Sequence, residues 1–427
     1  MIKNFFNEDV ALVFSGGGGR GAYEIGVWKA LIDLGINIKG AFGTSVGSIN
    51  SAAVAMDDFN LGKKVWLKTD YDDVMVVDKE TESILEGNLK NLKLKYITNA
   101  FFSFIKSKGI DISPLKGLLQ NIVNEDKIRN SNIEFGLVTY SVSNLKQVSF
   151  FKEEIPEGEL VDYIIASSNF PLFEREKIDG KKFIDGGVYN NLPIELAQKK
   201  GFKNIIVVDI GTYGIKDIKK VLTKFRVENE NIIYIKPRVH YGTLMTFNID
   251  VSKKYLKEGY LDTLSIFEKI HGNNYYILES NDHLFDYFSK LDVNDREEAM
   301  KILGIETKSK NNIYYQYYRE IFPLFESIIG VDNSNPDNLV LNLLELIADG
   351  LKIERLEVYS FDSFLFKIVT SEFKEHIIQE VKNLINFNKI KKIYFFIKYI
   401  CKKIDFKSED PKSIIIENIE KITEIDS

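Results

Sequence analysis

The chain has 427 residues, of which 44% are hydrophobic and 28% are charged. This length and composition are typical of a globular protein with two or three domains. The formal net charge of −6 at pH 7 gives no indication of a nucleic-acid partner. Cys401 is the one cysteine, so the sequence excludes an intrachain disulfide and a metal site built from several cysteines.

The first residues of the chain do not resemble a secretory signal. Glu8 and Asp9 lie where a signal peptide needs an apolar core. The sequence also contains no run of about 18 uncharged apolar residues, so we predict no membrane-spanning helix. We therefore expect a cytoplasmic protein, although export by a route that needs no cleaved signal remains open.

A cluster of glycines follows the first predicted strand. Residues 10–14 form an apolar run typical of a buried parallel strand, and residues 22–34 have helical spacing. The glycine loop between them consists of Gly16, Gly17, Gly18, Gly19, Arg20 and Gly21. Unpaired amides at a helix N-terminus, together with the helix dipole, stabilise an anion.

Two classes of anion fit this loop. Gly16, Gly18 and Gly21 have the spacing of the dinucleotide fingerprint, which requires an acidic residue at the end of the next strand. That strand ends instead in Thr44 and Ser45, and the Gly-Lys-Ser/Thr of nucleotide hydrolases is missing. The sequence favours the second class, the oxyanion of an acyl-transfer intermediate. For Arg20 we favour a role in fastening the loop over binding of a lipid phosphate.

The segment around Ser45 reads Gly-x-Ser-x-Gly, with Gly43 and Gly47 as its glycines. A predicted strand, residues 36–42, precedes it and a helix of small residues follows it. This arrangement predicts a nucleophile elbow, a strained strand-to-helix turn that exposes one serine hydroxyl. A glycine turn around an ordinary serine is the simpler alternative, since such a string alone is weak.

A serine hydroxyl needs a base within hydrogen-bond reach. The first 239 residues contain no histidine, so a base from this region has to be a carboxylate. Asp185 ends a predicted strand and precedes Gly186 and Gly187, and it is the best-placed candidate. In isolation it would suit a turn. The order Ser, Asp, His of other hydrolases would still allow His240 as a third member.

Two further segments invite interpretation. The acidic stretch of residues 70–78 lacks the spacing of a calcium loop, so we interpret it as a solvated loop. The segment from Lys90 to Lys108 contains five lysines, many aromatic residues and no acid, which is typical of an interfacial helix. Packing against the rest of the domain is the alternative, and peripheral membrane contact is one prediction for this segment.

The C-terminal part, from about residue 276 onward, contains several helical patterns and no repeat. One of them, from Lys389 to Lys403, combines lysines with apolar and aromatic residues. We interpret it as a core helix with lysines on its flanks, with membrane contact as the alternative. The sequence thus predicts two domains, a catalytic domain at residues 8–275 and a mainly helical domain of unknown role at residues 276–427.

Three of these motifs together resemble the patatin-like phospholipase family. Gly16 to Gly21 is similar to the family's Gly-Gly-Gly-x-Arg-Gly loop, Gly43 to Gly47 to its elbow, and Asp185 to Gly187 to its Asp-Gly-Gly. The family's accompanying Ala-Ser-x-x-x-Pro and Asn-Leu-Pro stretches have counterparts at residues 166–171 and 191–193. The resemblance spans roughly residues 10–267.

The resemblance implies a three-layer α/β/α fold with a mostly parallel sheet. It implies a lipid acyl hydrolase in which Ser45 is the nucleophile and Asp185 the proton acceptor. The amides of Gly17 and Gly18 would then supply most of the oxyanion hole. No cofactor and no metal are implied, and the substrate would be a phospholipid or another lipid ester.

Two alternatives stay open from the sequence. One is an esterase or acyltransferase that uses the same dyad on other acyl esters. The other is a catalytically silent protein that binds a nucleotide or a lipid.

Overall fold

The structure is a computed structural model that describes residues 2–79, 82, 85, 110–141, 146–169, 177–178, 181–185, 191–211, 231–278, 283–329, 336–372, 384–407 and 414–424. The segment from Lys90 to Lys108 and the pair Gly186 and Gly187 lie outside the described residues. The chain divides into two compact units. The first consists of Met1–Ile266 and Glu417–Ser427, and the second of Phe267–Ile416.

The first unit alternates strands and helices along most of its length. After a short 3-10 helix (Ile2–Phe6) its elements are β1 (Val10–Phe14), a 3-10 turn (Gly18–Gly21), α1 (Ala22–Asp33), β2 (Ile38–Thr44), α2 (Val46–Ala55), α3 (Phe59–Lys68), α4 (Tyr71–Val74), α5 (Ser113–Ile122), α6 (Glu125–Asn130), β3 (Glu134–Ser141), β4 (Lys146–Phe151), α7 (Leu160–Ser168), β5 (Lys177–Ile178), β6 (Lys181–Asp185), α8 (Ile194–Lys199), β7 (Asn204–Val208), β8 (Asn231–Ile235) and α9 (Ile249–Ile266).

The described strands of this unit form one eight-stranded sheet in the order β5-β6-β3-β2-β1-β7-β8, with β4 also pairing with β3. The central pairs β1–β2, β1–β7, β2–β3 and β7–β8 are parallel. Antiparallel pairing is confined to β4, β5 and β6. The prediction of a mostly parallel sheet is therefore confirmed.

Helices cover both faces of the sheet, which explains why β1 is apolar at every position and β7 at every position after Asn204. On one face Phe135 and Leu137 of β3 pack with apolar residues of α2, α5 and α7. Val138 follows Leu137 in β3 and faces the opposite side of the sheet, where it packs with α8 and with Val13 and Val207. The arrangement is the predicted α/β/α sandwich.

One sequence interpretation is wrong. The acidic stretch of residues 70–78 is not a solvated loop, because α4 forms within it and buries Tyr71, Val74 and Met75. The Asp70 carboxylate caps the helix by accepting from the Asp72 amide, and the Asp73 side chain bonds back to the Asp70 amide. The acids sit at the helix N-terminus while the apolar residues between them enter the core.

The second unit is mainly helical, as predicted for the C-terminal region. It contains β9 (Tyr276–Ile277), α10 (His283–Ser289), α11 (Val293–Leu303), α12 (Ile313–Tyr315), a π-helical segment (Gln316–Ile321), α13 (Phe322–Ile329), α14 (Pro336–Gly350), β10 (Val358–Tyr359), α15 (Phe361–Thr370) and α16 (Leu384–Lys403). A last helix, α17 (Ile414–Thr423), begins at its end. Among the helices that the structure describes, none combines the length and apolar character needed to cross a membrane.

Candidate active site

Strand register brings Ser45 and Asp185 to the same level of the sheet. Thr44 of β2 pairs with Val138 of β3, and Asp185 of β6 pairs with Thr139, the next residue of β3. Ser45 directly follows Thr44, so Ser45 and Asp185 lie at one level with β3 between them. Because neighbouring strands are about 4.8 Å apart, the two backbones are separated by about 10 Å, a gap that two converging side chains can bridge.

Ser45 has the backbone geometry of a nucleophile elbow. Its φ of 55° is in the left-handed region, which is strained for a residue with a side chain. The turn is tight, because a Cβ on Gly43 would lie 2.1 Å from the Gly47 carbonyl oxygen. A Cβ on Gly47 would lie 2.6 Å from the carbonyl oxygens of Phe14 and Ser15. Both glycines of the motif are therefore required by the packing of β2, α2 and β1.

The end of α7 holds the strained turn in place. The Ser45 amide donates to Ser167 Oγ at 3.1 Å, and that hydroxyl donates to the Val138 carbonyl at 2.7 Å. The Ser45 carbonyl accepts from the hydroxyls of Ser48 and Ser168 at 2.6 and 3.1 Å. The sequence places Ser167 in a stretch that resembles a family motif, but it does not predict the contact between Ser167 and Ser45.

Asn191 fastens the start of the glycine loop. Its side-chain Oδ1 accepts from the Gly16 amide at 2.8 Å, and its Nδ2 donates to the Gly16 carbonyl at 3.1 Å. Asn191 is buried, and a Cβ on Gly16 would lie 2.9 Å from the Cβ of Ser45. The loop is thereby held against both the elbow and the segment that follows Asp185.

The middle of the glycine loop leaves backbone donors available. The Gly19 amide donates to the Leu244 carbonyl at 2.9 Å. Within the described part of the chain, we find no hydrogen bond from the amides of Gly17 and Gly18 to another loop or side chain. Gly18 has a φ of 55°, and a Cβ there would lie 1.9 Å from the Leu244 oxygen, so this turn needs glycine.

Arg20 fastens a neighbouring turn. Its Nη1 donates to the Ile210 carbonyl at 3.1 Å. His240 lies beside it, close to Gly211. Burial and the positive charge of Arg20 lower the pKa of His240, and the carboxylate of Asp209 opposes them.

A buried polar network lies beneath the glycine loop and the elbow helix. Asn50 of α2 donates to the Gly21 carbonyl at 2.9 Å and to Glu24 Oε2 at 2.7 Å, and its own oxygen accepts from Trp66 Nε1 at 3.0 Å. Glu24 is fully buried, and burial raises its pKa well above the usual range. Its hydrogen bond to Asn50 lowers the pKa, and the charge of Asp209 raises it further.

Ser45, Asp185 and the first three glycines of the loop, Gly16 to Gly18, line one cavity of about 250 Å³. Its polar lining comprises Gly16, Gly17, Gly18, Ser45, Thr69, Ser168, Asp185 and Asn191. Its apolar lining comprises Val46, Ile49, Val65, Trp66, Val74, Leu115, Leu118, Leu119, Leu244, Met245 and Phe247. Ser45 and Asp185 are only 8% and 5% exposed, so a proton transfer between them would occur in a nearly dry site.

Several predicted residues do not contribute to this lining. Gly43 and Gly47 shape the elbow from behind, and Gly19, Arg20 and Gly21 complete the loop away from the cavity. His240 is not among the described residues that line the cavity. The described residues also contain no group of three or more His, Cys, Asp or Glu side chains that could hold a metal ion.

Comparison with protein families gives a match to one family model. Residues 12–197 match the model described as patatin-like phospholipase. The match contains the glycine loop, the elbow and Asp185, and ends within α8.

Similar proteins are found among curated sequences. Patatin-like phospholipase domain-containing protein 7 of Rattus norvegicus is 26% identical over 215 residues, which are 49% of this chain and 14% of that protein. Patatin-like phospholipase domain-containing protein 6 of Homo sapiens is 27% identical over 227 residues, 51% of this chain and 14% of that protein. Lysophospholipase NTE1 of Meyerozyma guilliermondii is 28% identical over 215 residues, 50% of this chain and 13% of that protein. The similarity thus spans only about one seventh of the length of these relatives.

Solved structures give matches of low similarity. VipD from Legionella pneumophila has a TM-score of 0.35 and 14% identity, covering 98% of this chain and 92% of that one. The type III effector protein ExoU has a TM-score of 0.35 and 11% identity, covering 92% and 77%.

Proposed function

Residues 12–197 belong to the patatin-like phospholipase family, and from this premise we propose that the chain is a lipid acyl hydrolase with a Ser45–Asp185 dyad. One observation supports the proposal above the others. The glycine-loop amides, the strained serine and the strand-end aspartate open into a single cavity whose remaining walls are almost entirely apolar. A nucleophile, a base, an oxyanion site and an acyl-chain site are the four parts that ester hydrolysis by an acyl-enzyme requires.

The first half-reaction forms the acyl-enzyme. Ser45 Oγ attacks the ester carbonyl carbon while the Asp185 carboxylate takes the hydroxyl proton. The amides of Gly17 and Gly18 donate to the oxygen that becomes negative. The tetrahedral intermediate then collapses, the bond to the alcohol oxygen breaks, and Asp185 returns its proton to the leaving alcohol.

The second half-reaction releases the fatty acid. Asp185 takes a proton from water as that water attacks the acyl carbonyl carbon, and the same loop amides stabilise the second oxyanion. Collapse of this intermediate breaks the bond to Ser45 Oγ, which takes the proton back from Asp185. The products are a free fatty acid and the alcohol part of the lipid.

The apolar walls favour a lipid ester over a small water-soluble ester. Leu115, Leu118 and Leu119 of α5 face the cavity together with Trp66 and Phe247. An acyl chain of several carbons would bury its methylene groups against these residues, at about 0.8 kcal/mol for each group. A phospholipid or lysophospholipid is therefore the substrate class that we propose.

The test is hydrolysis of a phospholipid by variants of the two dyad residues. We expect Ser45→Ala and Asp185→Asn each to abolish fatty-acid release. Ser51→Ala is a matched control on α2, since the buried Ser51 hydroxyl has no partner among the described residues, and Asp250→Asn is an exposed control. A Ser45→Ala protein that retains wild-type turnover would contradict the proposal.

Two additional assays separate the rival functions. An acyltransferase would give a new ester when an acceptor alcohol is added, whereas a silent binding protein would release no fatty acid and would leave a fluorophosphonate probe unreacted. We propose residues 8–275 as the catalytic domain and residues 276–427 as a separate domain. The division of the described structure after Ile266 supports a boundary near this point, although Glu417–Ser427 groups with the first unit. Cytoplasmic location and the absence of a nucleic-acid partner stay predictions from the sequence.

A further inference from the structure

Helix α16 in the second unit has two faces of opposite character. Its inner face packs in the core of that unit through Ile390, Ile393, Tyr394, Phe396, Ile397, Ile400 and Cys401. Its outer face carries Lys391, Phe395, Lys398 and Lys402 at successive spacings of four, three and four residues, which places them in one stripe along the helix. The buried inner face agrees with the sequence interpretation of a core helix with lysines on its flanks.

The outer stripe borders an open groove, which we call the α16 groove. Its lining comprises Ile302, Asn388, Lys391, Lys392, Phe395, Lys398, Tyr399 and Lys402. This lining contains four lysines and no carboxylate. Phe395 is 43% exposed at the centre of the stripe, so an aromatic ring faces outward among the charges.

The positive charge of the groove is not neutralised by the neighbouring helix α11. The three acids of α11 have other partners, since Asp295 pairs with Lys403 at 2.7 Å, Glu297 with Lys310 at 2.7 Å and Glu298 with Lys301 at 3.2 Å. Among the described residues, Lys392, Lys398 and Lys402 have no carboxylate within ion-pair distance. A cluster of cations is therefore present in a chain whose formal net charge is −6.

We propose that the α16 groove binds the surface of a lipid bilayer that contains anionic phospholipids. Two features of the groove favour this occupant over an acidic protein or a nucleic acid. Phe395 can enter the boundary between headgroups and acyl chains while the lysine stems lie along it and their ammonium groups reach the phosphates. From Lys391 to Lys402 the stripe is about 16 Å long at the helical rise, enough to contact several lipid headgroups at once.

The proposal does not depend on the hydrolase activity, and its experiment keeps the two apart. The full-length chain is mixed with vesicles of ether-linked phospholipids, which an ester hydrolase cannot cleave, and bound protein is measured by flotation. We expect binding to phosphatidylcholine vesicles that contain about 30% phosphatidylserine, little binding to pure phosphatidylcholine, and loss of binding as salt is raised.

The decisive variant replaces the three exposed lysines without a carboxylate partner, Lys392→Gln, Lys398→Gln and Lys402→Gln together. Because each lysine near an anionic surface contributes about a fivefold factor in partitioning, we expect the triple variant to bind about 100-fold more weakly. Phe395→Ser should weaken binding separately and make the remainder more sensitive to salt. The matched control replaces three exposed lysines elsewhere in the second unit, Lys290, Lys308 and Lys367, with glutamine.

Each other outcome overturns the proposal. Equal loss of binding in the control variant would show that binding depends on the net charge of the protein and not on the α16 groove. Unchanged binding in the triple variant would place the lipid contact elsewhere. Absence of binding by the wild-type chain would remove the bilayer as the occupant. If light scattering shows a dimer that the triple variant lacks, the groove belongs to a second copy of the chain. Circular dichroism and thermal unfolding that are unchanged in every variant show that the protein is folded, whether or not it hydrolyses esters.

Discussion

Gly16 and Asn191 are 175 residues apart in the chain, yet the Asn191 side chain binds both polar groups of the Gly16 backbone. The carboxamide accepts from the Gly16 amide and donates to the Gly16 carbonyl, as a paired strand would. The contact joins the glycine loop to the segment that follows Asp185. It also engages the Gly16 amide, which supports our proposal that the amides of Gly17 and Gly18 bind the oxyanion.

Replacement of Asn191 tests whether this contact positions the oxyanion hole. Asn191→Ala removes both hydrogen bonds to the buried Gly16 backbone, each of which contributes about 0.5–1.5 kcal/mol. We expect kcat to fall about 10- to 100-fold, less than for loss of a direct oxyanion donor, while KM changes by less than about threefold. Steady-state hydrolysis of a lysophospholipid measures both.

A control and a second variant separate positioning from stability. Asn191→Asp keeps the acceptor for the Gly16 amide but loses the donor and adds a negative charge, so kcat should fall further. Asn231→Ala removes a side-chain amide hydrogen bond at the opposite edge of the sheet, where β8 begins. Equal kcat values in Asn191→Ala and Asn231→Ala, at equal thermal stability, would show that Asn191 has no part in positioning the loop.

A second prediction concerns the effect of the elbow glycines on stability and on the reactivity of Ser45. A Cβ on Gly43 would lie 2.1 Å from the Gly47 carbonyl oxygen, with no flexible side chain to yield. Gly43→Ala should therefore reduce the free energy of unfolding by at least about 1–3 kcal/mol and abolish labelling of Ser45 by a fluorophosphonate. Urea unfolding and probe labelling measure the two effects.

Gly117 offers the matched glycine. It lies inside α5, and a Cβ there has nothing within 4 Å. Gly117→Ala should raise the free energy of unfolding by about 0.5–1 kcal/mol, because glycine is less favourable than alanine in a helix. Similar losses of stability in both variants would mean that the elbow is not as tight as its geometry indicates.

The local parts of the site could be predicted from the sequence because each needs only neighbouring residues. The glycine loop between β1 and α1, the elbow between β2 and α2, and the strand end at Asp185 all follow from short patterns of glycines and apolar residues. β2 begins at Ile38, two residues later than predicted. The cause is the end of α1, where the Ile36 amide donates to the Leu31 carbonyl.

The long-range parts could not be predicted, because a residue type does not reveal its partner. Asn191 suits a turn as well as it suits a clamp on Gly16, and Ser167 suits any helix end. The acidic stretch around Tyr71 reads as a loop, because burial of Tyr71 depends on contacts with α5 and not on local composition. The residues that carry the proposed chemistry could therefore be predicted from the sequence, whereas the contacts that position them could not.

A third prediction concerns acyl-chain selectivity and the part of the cavity wall that α5 forms. Leu118 is half-buried and lines the cavity. Leu118→Trp fills space that the distal carbons of an acyl chain would need. We expect kcat/KM for a palmitoyl ester to fall about 10- to 100-fold, and that for a butyryl ester to stay within about threefold.

The volume-conserving variant Leu118→Met should leave both substrates nearly unchanged. Parallel assays of the two esters with purified wild-type and variant proteins measure the ratio. An equal loss on palmitoyl and butyryl esters in Leu118→Trp would place the acyl chain outside this cavity.

A fourth prediction concerns Glu24 and the dependence of protein stability on pH. Burial raises its pKa in the folded protein well above the value of about 4.3 expected in the unfolded chain. Between these two pKa values the folded state holds a proton that the unfolded state releases. Glu24 therefore contributes stability below the unfolded pKa, and that contribution is lost as pH rises toward the folded pKa.

Glu24→Gln cannot titrate and keeps an amide oxygen that can accept from Asn50. Relative to the wild type, its free energy of unfolding should therefore increase from about pH 5 to about pH 8, as urea titrations can show. A difference between variant and wild type that stays constant or decreases over this range would mean that Glu24 is ionised in the folded protein.

The most direct test of the dyad is the site of covalent labelling. The wild-type protein is treated with a fluorophosphonate probe, and the modified peptide is identified by mass spectrometry. We predict a single adduct on Ser45, absent in Ser45→Ala and strongly slowed in Asp185→Asn, with normal labelling in Ser51→Ala. An adduct on another serine, or labelling of Ser45 at the wild-type rate in Asp185→Asn, would contradict the account.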